Sequence, residues 1–362
     1  MDDFDRDVYC LLGLPFDAVD MAAAVRRVRA AADSGTRCFL TTPNLNFLIG
    51  CRSDAAFRDS VIHSDLSIAD GMPLVWIARL LGLPIRERVA GSGMFEVLRG
   101  GDAVENPMKI YFFGGPDGVA ERACSILNAH PSGVRCVGWQ SPGFEPVESI
   151  SGNERIDRIN ASKADFLVVA LGARKGQAWI EHNLDRLDVP VVSHLGAVVN
   201  FVAGSVSRAP LWMQRTGLEW LWRIKEEPNL WRRYWHDGLS LFRLMFGIVL
   251  PYALWLRFSR SRQTELFVDL ERGEAMSRII VSGSVAESVP DALRDVFREA
   301  VERRKPVVLD MSKADRFGPR FVGLVLVLKK RLDGLGLPLT VYGVADGARR
   351  LFRWNLAEYL LP

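Results

Sequence analysis

The chain has little of what most cofactor and metal sites are built from. Its five cysteines (Cys10, Cys38, Cys51, Cys124 and Cys136) are odd in number and scattered, and no CxxC occurs. That excludes a recognisable zinc motif and a disulfide framework, and favours buried thiols in a reducing compartment. GxGxxG and the P-loop, the turns that cradle dinucleotides and nucleoside triphosphates, are both missing. The N-terminus, Met1-Asp2-Asp3-Phe4-Asp5-Arg6-Asp7, is acidic and has no apolar stretch, so it does not read as a secretory signal. Internal repeats and low-complexity tracts are also lacking.

What is present is an ordinary globular composition with one local bias. The 362 residues are 49% hydrophobic and 25% charged, enough for two domains and an extra module. From Ser205 to Arg262 there are ten Lys or Arg against four Asp or Glu. This stretch therefore carries +6, and the rest of a chain of net charge +3 carries −3. Six of the ten Trp residues lie in the same stretch. A basic, Trp-rich segment suggests an anionic partner. Its aromatics sit inside a lipid-like apolar run, which favours a membrane surface over nucleic acid.

Short apolar runs alternate with helical patterns along the first two hundred residues. Strands are expected at Arg37–Thr41, Leu66–Ala69, Met108–Phe113, Val134–Gly138, Ala164–Leu171 and Val189–Ser193. Between them run helices such as Ala18–Ala32, with Asp17 as expected N-cap and Gly35 as stop. This alternation predicts an α/β fold: a mostly parallel, Rossmann-like sheet with helices on both faces. In such sheets ligands bind at the carboxyl edge of the strands. Asp70 falls at that edge, after Leu66–Ala69, and Gly71 is expected to let the backbone turn and a ligand come close. Thr42 and Asn44 follow another strand, although Asn44 equally suits a helix cap. Arg88 lies in a loop eighteen residues after Asp70. A carboxylate, a guanidinium and small polar groups on separate loops suit group transfer. Gly114 and Gly115 open a strand-to-helix turn that can bring amides to a phosphate. His194, at a strand end, reads as a pocket residue or a structural histidine.

Three pieces in order carry a resemblance: Thr42-Pro43-Asn44, Ala69-Asp70-Gly71-Met72-Pro73-Leu74-Val75 and Glu87-Arg88-Val89-Ala90-Gly91. Together with Arg208-Ala209-Pro210, Gly217-Leu218-Glu219-Trp220 and Glu227-Pro228…Arg232-Arg233-Tyr234, the chain resembles the WecG/TagA/CpsF family of bacterial glycosyltransferases over about residues 8 to 236. The resemblance implies an inverting transferase that moves a sugar from a UDP-sugar to a polyprenyl-diphosphate-linked saccharide. It implies Asp70 as general base and Arg88 at the leaving group. Thr42, Asn44, Gly71, Gly114 and Gly115 would bind substrate, with Arg208, Arg232 and Arg233 supplied by a C-terminal appendage. No DxD stands where a metal would be expected, so no cofactor and no metal are expected. One element departs from the family pattern. Where the family reads P-K-Q-E, with a substrate-holding glutamine, this chain has Arg174-Lys175-Gly176-Gln177, so either Gln177 substitutes from the next position or the substrate is handled differently here.

The appendage needs its own reading. Leu239–Phe258 is apolar but interrupted by Arg243 and Pro251 and flanked by Arg232, Arg233, Arg257, Arg260 and Arg262. A spanning helix needs ~20 apolar residues, and basic flanks at both ends favour both staying on one side. A monotopic helix or re-entrant hairpin in the cytoplasmic leaflet of the inner membrane is the preferred expectation; a core helix and a true span remain open.

From about residue 264 the pattern changes to strand Arg278–Gly283, helix Pro290–Arg303, strand Pro306–Ser312, helix Phe321–Arg331, strand Leu337–Tyr342 and a helix from Gly347. With Val307-Val308-Leu309-Asp310-Met311-Ser312 it resembles a STAS domain, a regulatory α/β fold. Gly318-Pro319-Arg320-Phe321 stands where that family often has D-S-S-G, so a docking role for a protein partner is expected instead of a phosphoserine switch. The expected domains are 1–204 (transferase), 205–262 (membrane-docking appendage) and 263–362 (STAS-like). Two alternatives stay open: a nicotinamide-dependent oxidoreductase, which the missing GxGxxG disfavours, and a membrane-associated polysaccharide-synthesis scaffold with a degenerate transferase half.

Overall fold

A computed structural model describes residues 2–100, 105–130, 132–143, 145–258, 265–285 and 291–362. Arg260, Arg262, Pro290 and the expected boundary at 262/263 lie outside the described residues. The strands in chain order are β1 (Val8–Leu11), β2 (Leu14–Asp17), β3 (Cys38–Thr41), β4 (Leu66–Ser67), β5 (Met108–Gly114) and β6 (Val134–Gln140). They continue as β7 (Phe166–Ala170), β8 (Val191–His194), β9 (Phe267–Arg272), β10 (Ser277–Ser284), β11 (Val307–Arg316) and β12 (Leu339–Tyr342). The chain forms two compact units: Val19–Val75 with Glu87–Ser240, and Met1–Ala18 with Trp76–Arg86 and Leu241–Pro362. The first eighteen residues thus group with the C-terminal sheet and not with the larger one.

In the first unit six strands form one sheet in the order β4-β3-β8-β7-β5-β6, and every pairing is parallel. Side chains alternate between faces along each strand. Leu40, Phe112 and Val168 point into a core closed by helices Met21–Ser34, Gly91–Arg99, Val119–Ala129 and Gly196–Val202. Phe39, Phe113, Val169 and Val192 point the other way, against helices Asn153–Ala161 and Ala173–Asn183. Burial on both faces is why these strands read as unbroken apolar runs. All six carboxyl ends share one edge, because the strands are parallel.

Two local expectations change. Asp20, not Asp17, caps the first helix, accepting from the Ala23 amide at 2.7 Å. Asp17 instead ends β2 and takes both arms of Arg6, at 3.2 and 2.8 Å. Cys124 and Cys136 are joined in a disulfide, with Cα atoms 5.1 Å apart. The physical reason is packing: helix Val119–Ala129 turns back along β6, so positions twelve residues apart meet. Cys10, Cys38 and Cys51 are buried and not disulfide-bonded, and burial pushes the Cys10 and Cys51 thiols up to about 12.

The second unit holds a four-stranded sheet in the order β12-β11-β10-β9. β10, β11 and β12 are parallel and β9 runs antiparallel to β10. The hairpin β1–β2 lies on helix Pro319–Asp333 in this unit. Gly323 makes that possible, since a Cβ there would stand 2.4 Å from the Val8 carbonyl oxygen. The acidic start of the chain meets basic side chains of the same unit. Asp3 pairs with Lys330 at 2.8 Å and Asp7 with Arg320 at 2.9 Å, and Asp2 and Asp5 both pair with Arg298.

The chain is helical without reversal from Pro228 to Phe258, so the re-entrant hairpin is not formed. Pro251 is accommodated by a π-helical turn at Met245–Val249, where the Leu250 amide reaches back five residues to the Met245 carbonyl. By length and composition this helix is long and apolar enough to cross a membrane, and 17% of its most apolar window is buried.

Candidate active site

Asp70 is placed by backbone pairing that outlasts β4. The Ile68 amide donates to the Thr41 carbonyl at 3.0 Å and the Asp70 amide to the Pro43 carbonyl at 3.0 Å. On the other side the Val89 amide donates to the Ala69 carbonyl at 3.0 Å. Asp70 is thus held between the 41–43 and 89–91 segments at the carboxyl edge. Its Oδ2 accepts from the Gly91 amide at 3.3 Å, at the start of helix Gly91–Arg99. Its Oδ1 accepts from Arg88 Nε and Nη2, both at 3.3 Å.

A third charge completes the cluster. Glu219, the first residue of helix Glu219–Glu226, brings Oε2 within 2.6 Å of Arg88 Nη2. Side-chain exposure is 22% for Asp70 and 17% for Arg88 and for Glu219. One guanidinium therefore serves two carboxylates in a partly water-excluded place, leaving one negative charge over. Burial pushes the Asp70 carboxyl above its ordinary range; Arg88 opposes the rise and Glu219 adds to it. Burial works against the Arg88 charge, but Asp70 and Glu219 more than restore it. A carboxylate moved toward neutral pH suits a proton acceptor, and a firmly charged guanidinium suits a departing anion.

Thr42 is buried beside this cluster. A Cβ on Gly91 would lie 3.0 Å from Thr42 Cγ2 and 2.4 Å from Leu195 Cδ2, so any larger residue at 91 would have to displace the Leu195 side chain. Asn44 caps helix Leu45–Ser53, its Oδ1 accepting from the Phe47 amide at 3.2 Å. Gly71 does not adopt a left-handed backbone, and a Cβ there meets nothing nearer than 3.8 Å. The expected need for glycine to make the turn is therefore not what the structure displays. Gly114 does require glycine: its φ is +111°, and a Cβ would stand 2.5 Å from the Ala170 oxygen. Gly115 (φ +84°) donates its amide to that oxygen at 2.8 Å. Arg208 reaches the cluster's edge, with Nη2 3.3 Å from Ser92 Oγ. Arg232 and Arg233 are exposed and lie over the rings of Trp231 and Tyr234.

Gln177 is fully buried, and neither of its amide atoms has a hydrogen-bond partner among the described residues. The residue before it explains the departure in this element. A Cβ on Gly176 would fall 2.3 Å from His194 Cδ2, so the imidazole occupies the space where a side chain at 176 would project. His194 Nε2 likewise has no partner among the described residues, and burial lowers this histidine to about 4. Gly176→Ala is expected to cost about 1–3 kcal/mol, as overpacking does. The double variant with His194→Ala should cost less than the two changes summed. Thermal unfolding of the three variants checks this, and additive losses would show that the imidazole does not fill that space.

Residue reasoning singled out Asp70, Arg88 and Thr42, which the fold brings together. It missed Glu219 as a member of the cluster and Gly91 as the amide donor. A signal for Glu219 was present: a carboxylate at the start of a helix in an otherwise basic segment.

The family model described as "Glycosyl transferase WecG/TagA/CpsF family" matches residues 9–252. The chain belongs to this family. Three similar proteins are each named N-acetylglucosaminyldiphosphoundecaprenol N-acetyl-beta-D-mannosaminyltransferase. That of Bacillus spizizenii is 26% identical over 201 residues, covering 56% of this chain and 76% of that protein. That of Bacillus subtilis is 27% identical over 195 residues, covering 54% and 73%. That of Staphylococcus aureus strain MW2 is 24% identical over 226 residues, covering 62% and 85%. The chain is accordingly a glycosyltransferase, and the match spans the Asp70–Arg88–Glu219 cluster and most of the long helix. Residues 253–362 lie beyond the match.

Proposed function

We propose that this glycosyltransferase moves a sugar, with inversion, from a UDP-sugar to a polyprenyl-diphosphate-linked saccharide at the cytoplasmic face of the bacterial inner membrane, in cell-surface polysaccharide synthesis. The observation that carries the reading is the pairing of Asp70, which burial pushes up, with the charged Arg88 at the carboxyl edge of a parallel sheet. The acceptor hydroxyl oxygen attacks C1 of the donor sugar, and its proton passes to the Asp70 carboxylate. The bond from C1 to the UDP oxygen breaks, and UDP leaves with the electron pair. Arg88 offsets the charge that develops there, with Arg208, whose Nη2 lies 3.3 Å from Ser92 Oγ, as a second donor in this reading. No metal is needed in this scheme. The relatives' names favour an N-acetylglucosaminyl-diphosphate-polyprenol acceptor and an N-acetylmannosaminyl donor. The test is transfer from a panel of UDP-sugars to that acceptor, with and without EDTA. No transfer from any donor by folded protein would sink the reading and leave the scaffold alternative.

Membrane docking is supported by the long helix. Trp231, Trp235 and Leu239 recur four residues apart in one unit, Phe242 and Phe246 four apart in the other, and all five are 41–63% exposed. Phe242→Ser with Phe246→Ser is expected to weaken binding to anionic vesicles at least tenfold, since each buried Phe contributes about 1.5–3 kcal/mol. Unchanged co-flotation would remove this face as the docking surface.

The C-terminal unit is read as a STAS-like module for recruiting a protein partner. Its support is the order from β10 to β12 with a helix after each strand. Helix Pro319–Asp333 already carries the chain's own hairpin, so a partner would have to use another face.

A further inference from the structure

Arg88 is shared unequally. Its Nη2 lies 2.6 Å from Glu219 Oε2 but 3.3 Å from Asp70 Oδ1. Its two contacts with Asp70 both fall on Oδ1, while Oδ2 is engaged by the Gly91 amide. The guanidinium therefore stands nearer Glu219, as an ion pair without hydrogen-bond geometry at Oε2, and does not form with Asp70 the two-oxygen fork that Arg and carboxylate prefer when alone together. Glu219 stands in the first turn of its own helix.

We propose that Glu219 is a positioning residue of the transfer site: it draws the Arg88 guanidinium off Asp70, so that Asp70 can accept the acceptor's proton while Arg88 stays poised for the departing diphosphate. This rests on the reading of Asp70 as the base. Without Glu219, Arg88 would close on Asp70 as a fork, and both groups would be spent on each other. The groups that face Asp70 are Arg88 from the loop before Gly91, Glu219 from its own helix, and the Gly91 amide. Of these, Glu219 is the one whose removal should let the Asp70 carboxyl fall back toward its ordinary range, because its charge is what adds to the effect of burial.

The test compares pH–rate profiles of wild type, Glu219→Gln and Asp70→Asn with the UDP-sugar and polyprenyl-diphosphate acceptor that the wild type uses. Glu219→Gln is expected to lower kcat about 10- to 100-fold, the cost of misplacing a reacting group, with a smaller change in the donor KM. Its acid limb should move to lower pH. A Glu219→Gln profile that overlays the wild type, with kcat unchanged, overturns the proposal. Asp70→Asn separates the two readings: if it keeps the wild-type acid limb, the base assignment fails. If it abolishes that limb while Glu219→Gln leaves it in place, only the role of Glu219 fails. A readout independent of activity is the carbon-13 titration of the Asp70 carboxyl, assigned by its loss in Asp70→Asn. Its midpoint should fall in Glu219→Gln, and an unmoved midpoint overturns the proposal. Should Glu219→Gln not fold, Glu219→Asp keeps the charge with a shorter reach. It should then displace the acid limb in the same direction, and a wild-type limb would again overturn the idea.

Discussion

Asp70→Asn should lower kcat/KM by about 10²- to 10⁴-fold, the range by which a positioned general base speeds proton transfer. The wild-type profile should lose activity in acid at a pH above that of an ordinary carboxylate, because burial raises Asp70. Stability should respond in the opposite sense to activity. A carboxyl raised in the folded state contributes stability that is fully present below its unfolded pKa and lost as pH rises through the folded one. The ionised Asp70 is therefore a cost to the fold near neutral pH, and the amide removes it. Asp70→Asn is expected to melt no lower than wild type at pH 7. A variant that transfers sugar undiminished would eliminate Asp70 as the base. One that melts several degrees lower would mean that its contacts with Arg88 and Gly91 outweigh the burial cost.

The second large effect is expected at Arg88. Arg88→Ala strands Asp70 and Glu219 beside each other without their shared counter-charge. Removing one partner of a buried pair is costly, and with side chains about four-fifths buried a loss of roughly 2–4 kcal/mol is expected. Loss of charge stabilisation at the departing diphosphate should lower kcat a further 10²- to 10³-fold. Arg88→Lys should recover part of the stability but little of the rate, since a compact ammonium cannot reach two carboxylates as a planar guanidinium does. Arg88→Ala combined with Glu219→Gln should be less unstable than Arg88→Ala alone, because one stranded charge is gone. Denaturant unfolding beside steady-state kinetics decides this. Equal stability of Arg88→Ala and wild type would show that the two carboxylates do not depend on it.

Much of this architecture was legible because its signals are local. Ala164–Leu171 reads as a buried strand from its apolar run alone, and the structure forms Phe166–Ala170 there with side chains in the cores on both faces. Asp70 could be placed at a ligand-binding edge from one apolar run and one glycine. Gly35 ends its helix in a left-handed turn, as a C-terminal glycine should. The misreadings came where two readings were locally equivalent. Asp17 and Asp20 both precede the first helix, and which one caps it depends on Arg6 claiming the former. Pro251 signals a helix break, but a π turn absorbed it. The β1–β2 hairpin has only four residues in each strand, and its packing partner, helix Pro319–Asp333, lies some three hundred residues away.

The sequence by itself determined the parallel α/β arrangement, the family, and the presence of a carboxylate and a guanidinium on neighbouring strand-end loops. Those follow from periodicity and motif order, which a chain carries residue by residue. Only the tertiary structure decided that Glu219 shares Arg88 with Asp70, that His194 fills the space over Gly176, that Cys124 meets Cys136, and that the acidic N-terminus belongs with helix Pro319–Asp333. Each of these joins separate elements of the fold, most of them distant in sequence. No local pattern specifies such a pairing; it is set by which packed elements exclude water from which charges and which glycines leave room for a neighbour.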